Sequence, residues 1–376
     1  MGKEAEKLPA GIRKRGGKYQ WRFKYDGLNY SGSEDTKTAA VKAMRTARYE
    51  VENGSYVKES SQTVDEWFDQ WIETIKRKTV KPNTLRNYQA IYKSQIKPAI
   101  GKQQIKNITT LRLQKMINSI AETGSGSMTN TVYVLLTGMF RDAYRLDLIK
   151  KDITDKITKP KKKKGRERKA LTKEEQIYLL ECLTGDPIEN MVRLALQTGM
   201  RLGELQALSW KDIDPEQNVI QVQHTLLKLP GQPFSLEPTK SESGTRQIPL
   251  TEEANRILKI QKVQLLQDRL KAGQSWKPDP GMEDLVFTQK NGNPYTNVDR
   301  KTKLINKMLA KAGYDADFSF HVLRHTFGTR CYEAGMDLKA LQEIMGHSSF
   351  NITMQIYVNA DQKHKADQMK LVEKAL

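Results

Sequence analysis

The sequence is poor in cysteine and contains no long apolar run. Its two cysteines, Cys182 and Cys331, cannot make a disulfide framework and lack the spacing of metal ligands, which favours a reducing compartment. No stretch approaches the ~20 apolar residues that a membrane-spanning helix needs, and the mean hydropathy is -0.67. The first residues, MGKEAEKLPAG, lack the apolar centre of a secretory signal. These absences predict a cytoplasmic protein without a membrane partner.

Acidic residues are also too few to balance the basic ones. Asp and Glu number 44 against 63 Lys and Arg, which gives a formal net charge of +19. Such an excess is offset when a polyanion binds and releases its counterions, so it predicts a nucleic-acid partner. A ribosomal or merely basic protein stays an alternative. At 376 residues the chain is long enough for two or three domains, each with its own core.

The first segment, residues 1–58, contains an alternating pattern typical of a β-strand. Between Gly17 and Tyr25, aromatic and mostly basic side chains alternate, so one face of the strand is apolar and the other cationic. A turn at Asp26-Gly27, a preceding strand near residues 10–14 and a following helix complete a three-stranded sheet with one helix. The cationic face suits the major groove of a duplex, and a solvated strand face is the plainer alternative.

The second segment, residues 61–157, has the periodicity of four helices. Thr63 and Glu66 form a capping-box pattern ahead of an apolar stripe, and Pro82 begins the second helix. Two more helices follow, one on each side of the break at Gly124–Ser127. This periodicity does not separate a DNA-binding unit from a helical module that binds another protein.

A strongly basic run, KPKKKKGRERK, lies within residues 158–169. Its like charges repel, so it predicts a linker rather than a packed element. Such a linker can follow the phosphate backbone of a duplex that two domains enclose. A localisation signal or a solvated run is the alternative.

The third segment, residues 170–376, begins with helices followed by strands. A helix at residues 188–197 ends at Thr198-Gly199, and Arg201 and Glu204 follow it, three residues apart and on one face if a helix restarts there. Three strands are then predicted, with a hairpin turn at Ser243-Gly244: residues 219–223, 238–246 and 247–250. A polar helix is expected after them, over residues 251–274.

The stretch from Phe320 to Tyr357 carries residues suited to phosphodiester chemistry. His321 and Arg324 lie three residues apart, which places them on one face of a helix, and Gly346-His347 comes ten residues before Tyr357. Imidazole and guanidinium groups can bind and protonate a phosphate, but neither is a good covalent nucleophile. A downstream tyrosine is, so this set predicts covalent attack on a phosphate by Tyr357.

Two features together resemble a known family: the motif Thr198-Gly-Met-Arg-Leu-Gly-Glu-Leu205 and the ordered set Arg, Lys, His-x-x-Arg, Gly-His and Tyr. The chain is similar to the tyrosine recombinases, specifically the integrases of phages and conjugative transposons. The resemblance covers nearly the whole chain. It implies six catalytic residues: Arg201, Lys240, His321, Arg324, His347 and Tyr357. For the lysine, Lys228 and Arg246 are competing candidates.

The resemblance also implies a fold and a domain order. We expect a multidomain α+β protein with a small three-stranded sheet plus helix, a four-helix unit, and a mainly helical catalytic domain with a small antiparallel sheet. The expected domains are an arm-type DNA-binding domain at 1–58, a core-binding domain at 61–157, a basic linker at 158–169 and a catalytic domain at 170–376. A last amphipathic helix beyond Tyr357 is expected to pack on its own domain or on a neighbouring subunit.

The activity implied by the resemblance is bacterial site-specific recombination. Tyr357 would form a 3′-phosphotyrosyl bond and release a 5′ hydroxyl, and the reverse attack would rejoin DNA without ATP. The partners implied are duplex attachment sites and other subunits in a tetramer on DNA, with accessory DNA-bending proteins as further candidates. Alternatives are a type IB topoisomerase, a non-catalytic DNA-binding regulator and a chromosome-dimer resolvase.

No cofactor is expected, and a metal is not predicted either. His321 and His325 have a metal-like spacing of four, but no Glu follows His321 as it would in a zinc protease helix. Arg324, which lies between them, would repel a cation. His325 is therefore interpreted as a structural residue.

Overall fold

The computed structural model describes residues 8–57, 60–161, 169–228, 231–239, 242–296, 298–315, 317–347 and 349. Lys240, Tyr357, most of the basic run and the helix expected beyond Tyr357 lie outside the described residues. The chain divides into two compact units, Met1–Gly165 and Arg166–Leu376. Both contain helices together with small antiparallel sheets, which confirms the predicted α+β class.

The first unit begins with the predicted small sheet. Strands β1 (Ile12–Arg15), β2 (Lys18–Tyr25) and β3 (Leu28–Glu34) pair antiparallel in that order, and helix α1 (Lys37–Glu52) follows. The apolar face of β2 is buried against α1, as the alternation predicts, with Trp21 6% and Phe23 8% exposed. The opposite face carries basic side chains at the solvent surface: Arg13, Arg15, Lys18, Arg22 and Lys24.

The rest of this unit is helical. The predicted capping box forms, because Glu66 accepts from the backbone N–H of Thr63 and the Thr63 hydroxyl accepts from that of Glu66. Helix α2 (Val64–Trp71) continues through a π-helical turn (Ile72–Lys76) into α3 (Arg77–Thr79), and α4 (Pro82–Ile91) continues through another (Tyr92–Ile96) into α5 (Lys97–Ile100). Helices α6 (Thr110–Thr123) and α7 (Gly126–Arg145) complete it, and their apolar faces share one core.

The helices of the second unit pack around a large core and a smaller apolar cluster that contains Leu341 and Met345. In chain order they are α8 (Lys173–Cys182), α9 (Glu189–Thr198), α10 (Leu202–Ala207), α11 (Glu252–Ala272), α12 (Val298–Lys311), α13 (Phe320–Glu333) and α14 (Leu338–Met345). Helices α9 and α13 pack against each other. Over the described ranges of the chain, no helix combines the length and apolar character that crossing a membrane requires.

The strands of this unit pair differently from the prediction. Strands β4 (Ile213–Asp214), β5 (Val219–Val222) and β8 (Arg246–Pro249) form one sheet, and β6 (His224–Lys228) pairs with β7 (Phe234–Pro238) in another. The predicted hairpin at Ser243-Gly244 is therefore wrong. These two residues lie in a 3₁₀ turn (Glu242–Gly244) that leads from one sheet to the other. The long-range pairing of Ile220 with Ile248 decides the arrangement, because it buries both side chains in the core.

Candidate active site

Helix α9 ends where the first predicted site residue begins. Gly199 has a φ of 62°, the left-handed conformation that closes a helix. The chain then turns, and Arg201 takes the N-cap position of α10 in extended conformation. The helix thus restarts at Leu202. Arg201 is not inside the helix but at its entrance, where its side chain is 44% exposed.

Glu204 holds Arg201 in this position. Its carboxylate accepts from the Arg201 guanidinium at 2.7 Å and from the Arg201 backbone N–H at 3.0 Å. The Glu204 side chain is only 4% exposed. Burial acts to raise the pKa of Glu204, but the hydrogen bond from Arg246 and the charges of Arg246 and Arg201 outweigh it and lower the pKa. Glu204 is therefore an ionised, buried anchor for Arg201.

Arg324 lies on α13 and is almost fully buried, with 3% of its surface exposed. Its guanidinium donates to the carbonyl of Gly199 at 2.8 Å and to the carbonyl of Met345. Arg324 therefore ties the end of α9 to the end of α14. His321 is the second residue of the same helix but is exposed, so the two residues three apart differ sharply in burial.

Arg246 joins the same cluster from the first position of β8. It donates to the second oxygen of Glu204 at 2.9 Å, to the carbonyl of Gly244 at 3.1 Å and to the carbonyl of Ile344. Its side chain is 6% exposed. The sequence suggested Arg246 only as a competitor for the role of the lysine, and the structure instead gives it a buried, fully bonded position.

The C-terminal turn of α14 receives all three arginines. Arg246 donates to the carbonyl of Ile344, Arg324 to that of Met345 and Arg201 to that of Gly346, the last at 2.9 Å. Helix C-termini leave such carbonyls without intrahelical partners and carry the negative end of the helix dipole. The cluster has a net positive charge, because it contains three guanidinium groups and only one carboxylate, that of Glu204.

His347 follows this turn directly. Gly346 has a φ of 62° and ends α14. His347 is 7% exposed, and its backbone N–H donates to the carbonyl of Gln342 at 3.2 Å. Burial, together with the charges of Arg324, Arg201 and Arg246, lowers the pKa of His347 to about 4. Its imidazole is therefore neutral at pH 7, and it can donate one hydrogen bond and accept another.

The described residues bring together three of the six predicted site residues: Arg201, Arg324 and His347. His321 is close enough for its charge to contribute to the lowered pKa of His347. Lys240 and Tyr357 lie outside the described residues, so their roles stay predictions. Lys228, the other competitor for the lysine, is exposed at the end of β6 with its Nζ 4.5 Å from the centre of the Phe234 ring.

The arrangement can bind an anion. Arg201 retains an exposed side, and arginine forks match the geometry of phosphate oxygens. In the part of the chain that the structure describes, no three His, Cys, Asp or Glu side chains are grouped so as to hold a metal ion.

Two family matches cover most of the chain beyond the first segment. The phage integrase family matches residues 169–364, which is more than half of the chain. The N-terminal SAM-like domain of phage integrases matches residues 63–121. The first match includes the site described above, and the second includes helices α2 to α5 and most of α6.

Curated relatives match over most of their own length. The chain is 28% identical to a tyrosine recombinase XerC-like protein of Caldanaerobacter subterraneus subsp. tengcongensis, over 84% of each chain. It is 27% identical to the transposase from transposon Tn916 of Enterococcus faecalis, over 80% of this chain and 76% of that one.

Solved structures agree with these relatives. The integrase of transposon Tn1549, in complex with a circular intermediate DNA, superposes with a TM-score of 0.67 at 27% identity and covers 83% of this chain and 100% of that chain. A lambda integrase tetramer bound to a Holliday junction has the same fold, with a TM-score of 0.58 at 19% identity over 94% of this chain and 96% of that one. These matches confirm the resemblance to tyrosine recombinases of the conjugative-transposon type, and the chain belongs to the phage integrase family.

Proposed function

We propose that this tyrosine recombinase cuts and rejoins duplex DNA at the attachment sites of a mobile element through a covalent bond between Tyr357 and a 3′ phosphate. The observation that carries the proposal is the convergence of Arg201, Arg324 and His347 on the C-terminal turn of α14. Tyr357 follows His347 by ten residues of chain. The Tn916 transposase and the DNA-bound Tn1549 integrase support a mobile element as the source of the DNA.

Arg201 and Arg324 stabilise the negative charge of the reacting phosphate. Charge builds on the non-bridging oxygens in the pentavalent transition state, and preorganised guanidinium groups in a partly dry site stabilise it more than water does. Arg201 is the more accessible of the two and contacts the phosphate first. His347, neutral at pH 7, donates a hydrogen bond to a phosphate oxygen or to the nucleophile.

The covalent step exchanges one phosphate ester for another. The hydroxyl oxygen of Tyr357 bonds to phosphorus, and the bond from phosphorus to the 5′ oxygen breaks. His321 accepts the tyrosine proton or binds a phosphate oxygen, and Lys240 protonates the leaving 5′ oxygen. Because the ester energy is kept in the phosphotyrosine, attack by another 5′ hydroxyl reverses the step. Neither a metal ion nor ATP takes part in this sequence.

The remaining segments hold the DNA. We assign DNA binding to a domain at 1–58, where the exposed face of the β1–β3 sheet carries five basic side chains. We assign duplex binding also to a second domain at 61–157, to the linker at 158–169 and to the catalytic domain at 170–376. The lambda integrase tetramer supports a tetramer on DNA, and DNA-bending proteins are candidate accessory partners.

The test uses a nicked duplex that carries one attachment site and traps the covalent intermediate. In buffer with a metal chelator and without ATP, the wild-type protein is expected to give a protein–DNA adduct on a denaturing gel. Tyr357→Phe should bind the same DNA and give none, because only the hydroxyl is missing. An adduct that persists in the Phe variant, or one that needs a metal ion, contradicts the proposal. Strand exchange between two duplexes, rather than relaxation alone, separates recombinase from topoisomerase.

A further inference from the structure

Arg246 connects three separate segments of the second unit. Its guanidinium reaches Glu204 on α10, the carbonyl of Ile344 at the end of α14, and the carbonyl of Gly244 in the turn before β8. Those partners lie 42, 98 and 2 residues away along the chain. The planar fork of an arginine serves three acceptors from three different nitrogens, whereas the three donors of a lysine are all on one nitrogen and cannot reach acceptors spread across the width of a guanidinium.

Its partners are the groups that position the site. One oxygen of Glu204 accepts from Arg246 and from the backbone N–H of Arg201, and the other accepts from the Arg201 guanidinium. The carbonyl that Arg246 holds belongs to the same turn whose next two carbonyls accept from Arg324 and Arg201. A Cβ added to Gly346 would lie 3.0 Å from Cδ of Arg246, so the turn before His347 packs against the aliphatic part of the arginine side chain.

Hydrogen bonds to the protein hold Arg246 away from the substrate, because its Nε, Nη1 and Nη2 atoms each donate to a protein acceptor. Its side chain is 6% exposed, whereas that of Arg201 is 44% exposed. A buried guanidinium is costly unless it is paired, and here Glu204 and the carbonyls at a helix C-terminus satisfy it. The group is therefore placed behind the site rather than in it.

We propose that Arg246 is a positioning residue for DNA cleavage. It acts through Glu204 and the C-terminal turn of α14 to hold Arg201 and His347 in the positions that cleavage requires. This inference rests on the function proposed above. It excludes Arg246 as the proton donor to the leaving oxygen, the role for which Lys240 is the candidate.

The first test compares Arg246→Lys with the wild type on the nicked duplex. The variant keeps the charge and loses the three-way fork, so DNA affinity should stay within about twofold while adduct formation slows by roughly 10- to 100-fold, since misplacement of about 1 Å costs that much. Arg256→Lys is the matched control, because Arg256 forms an exposed pair with Glu253 outside the site. A cleavage rate like that of the control, or a loss of affinity that equals the loss of rate, overturns the proposal.

A second substrate separates positioning from proton donation. When sulfur replaces the bridging 5′ oxygen, the leaving group is a thiolate, which needs no proton because thiols are far more acidic than alcohols. A variant that lacks the proton donor recovers its rate on this substrate, as Lys240→Ala should. Arg246→Lys should stay slow on it. Recovery by Arg246→Lys would make Arg246 the donor and contradict the proposal.

A third measurement does not depend on cleavage. The imidazole signal of His347, followed by NMR as pH changes, should titrate differently in Arg246→Lys than in wild type, although the charge is conserved. Its titration in Arg256→Lys should match wild type. If the wild-type protein forms no adduct, the proposed function is wrong. The pH titration of His347 then still shows whether Arg246 positions this histidine. An unchanged His347 in Arg246→Lys overturns the inference.

Glu204→Gln supplies a further check. If Arg246 acts through Glu204, the double variant should be no slower than the slower single variant, because both changes break one linked network. Rate losses that multiply would show that the two residues act independently and would contradict the proposal.

Discussion

At the level of single residues, the pKa of His347 reflects how deeply the site is buried and how much positive charge surrounds it. Burial and three guanidinium groups place its folded-state pKa at about 4, below the ordinary value of 6.5. As the pH falls, the unfolded chain therefore takes up the proton first. The stability that His347 contributes through this pKa difference is fully present above pH 6.5. It is lost as the pH falls towards 4, which lowers the free energy of unfolding by at most about 3 kcal/mol.

We expect NMR of histidine-labelled protein to find one imidazole that titrates near pH 4 and that disappears in His347→Gln. Because the chain has five histidines, few imidazole signals have to be assigned. Binding of a phosphate-containing duplex should raise that pKa, because the phosphate neutralises the arginines that disfavour the imidazolium. A His347 that titrates at its ordinary value in the free protein would contradict the described packing of the site.

Sequence patterns could predict some of these residues and not others. Arg201 and Glu204 are three apart, and His347 and Arg324 stand in a recognisable order, so local spacing pointed to them. Arg246 meets Glu204 and Ile344 only through contacts 42 and 98 residues apart in the chain. No local pattern encodes such a contact, which explains why its buried role was missed.

At the scale of elements, the site depends on how two helices end. Helices α9 and α14 both close on a glycine in the left-handed conformation, Gly199 and Gly346. Those endings turn the carbonyls of Gly199, Met345 and Gly346 towards the arginines. The second ending is crowded, since a Cβ on Gly346 would lie 2.7 Å from the carbonyl oxygen of Ser243.

Gly346→Ala and Gly335→Ala therefore form a matched pair. Both glycines have positive φ, but a Cβ on Gly335, which follows α13, would meet nothing within 4 Å. Gly335→Ala should lower the free energy of unfolding by about 1–2 kcal/mol through backbone strain alone. Gly346→Ala should lower it further and slow adduct formation at least about tenfold, because the turn must move. Urea unfolding and the adduct rate measure both effects, and equal losses in the two variants would contradict the described contact.

Helix boundaries in this chain were easier to predict than strand pairing. The capping box at Thr63 satisfies backbone donors locally and forms as its sequence indicates, and the structure has another at Thr172. Strand β5 instead skips β6 and β7 to pair with β8. That choice follows from burial of Ile220 and Ile248 in a shared core, a property of the folded unit that a reading of neighbouring residues does not contain.

At the scale of the whole molecule, the net charge of +19 sets how binding depends on salt. Each phosphate contact that a basic side chain makes adds about 0.9 to the slope of log affinity against log salt concentration. Arg22 is an exposed residue on the sheet face assigned to DNA. Arg22→Ser should therefore reduce the slope by about 0.9.

Arg256→Ser is the control for this measurement. It removes the same charge from α11, where Arg256 pairs with Glu253 and belongs to no surface assigned to DNA. Its slope should match that of the wild type in fluorescence titrations with a short duplex. Equal reductions in the two variants would mean that only total charge matters, and they would contradict the assignment of the sheet.

The mass of the adduct peptide shows whether Tyr357 forms the covalent bond to DNA. After nuclease and trypsin digestion, the linked nucleotide should be on the peptide of residues 340–363, in which Tyr357 is the sole tyrosine. Fragmentation should place a 3′-phosphonucleotide on Tyr357 itself. A nucleotide on Ser348, Ser349 or Thr353, or on any other peptide, would show that Tyr357 is not the nucleophile.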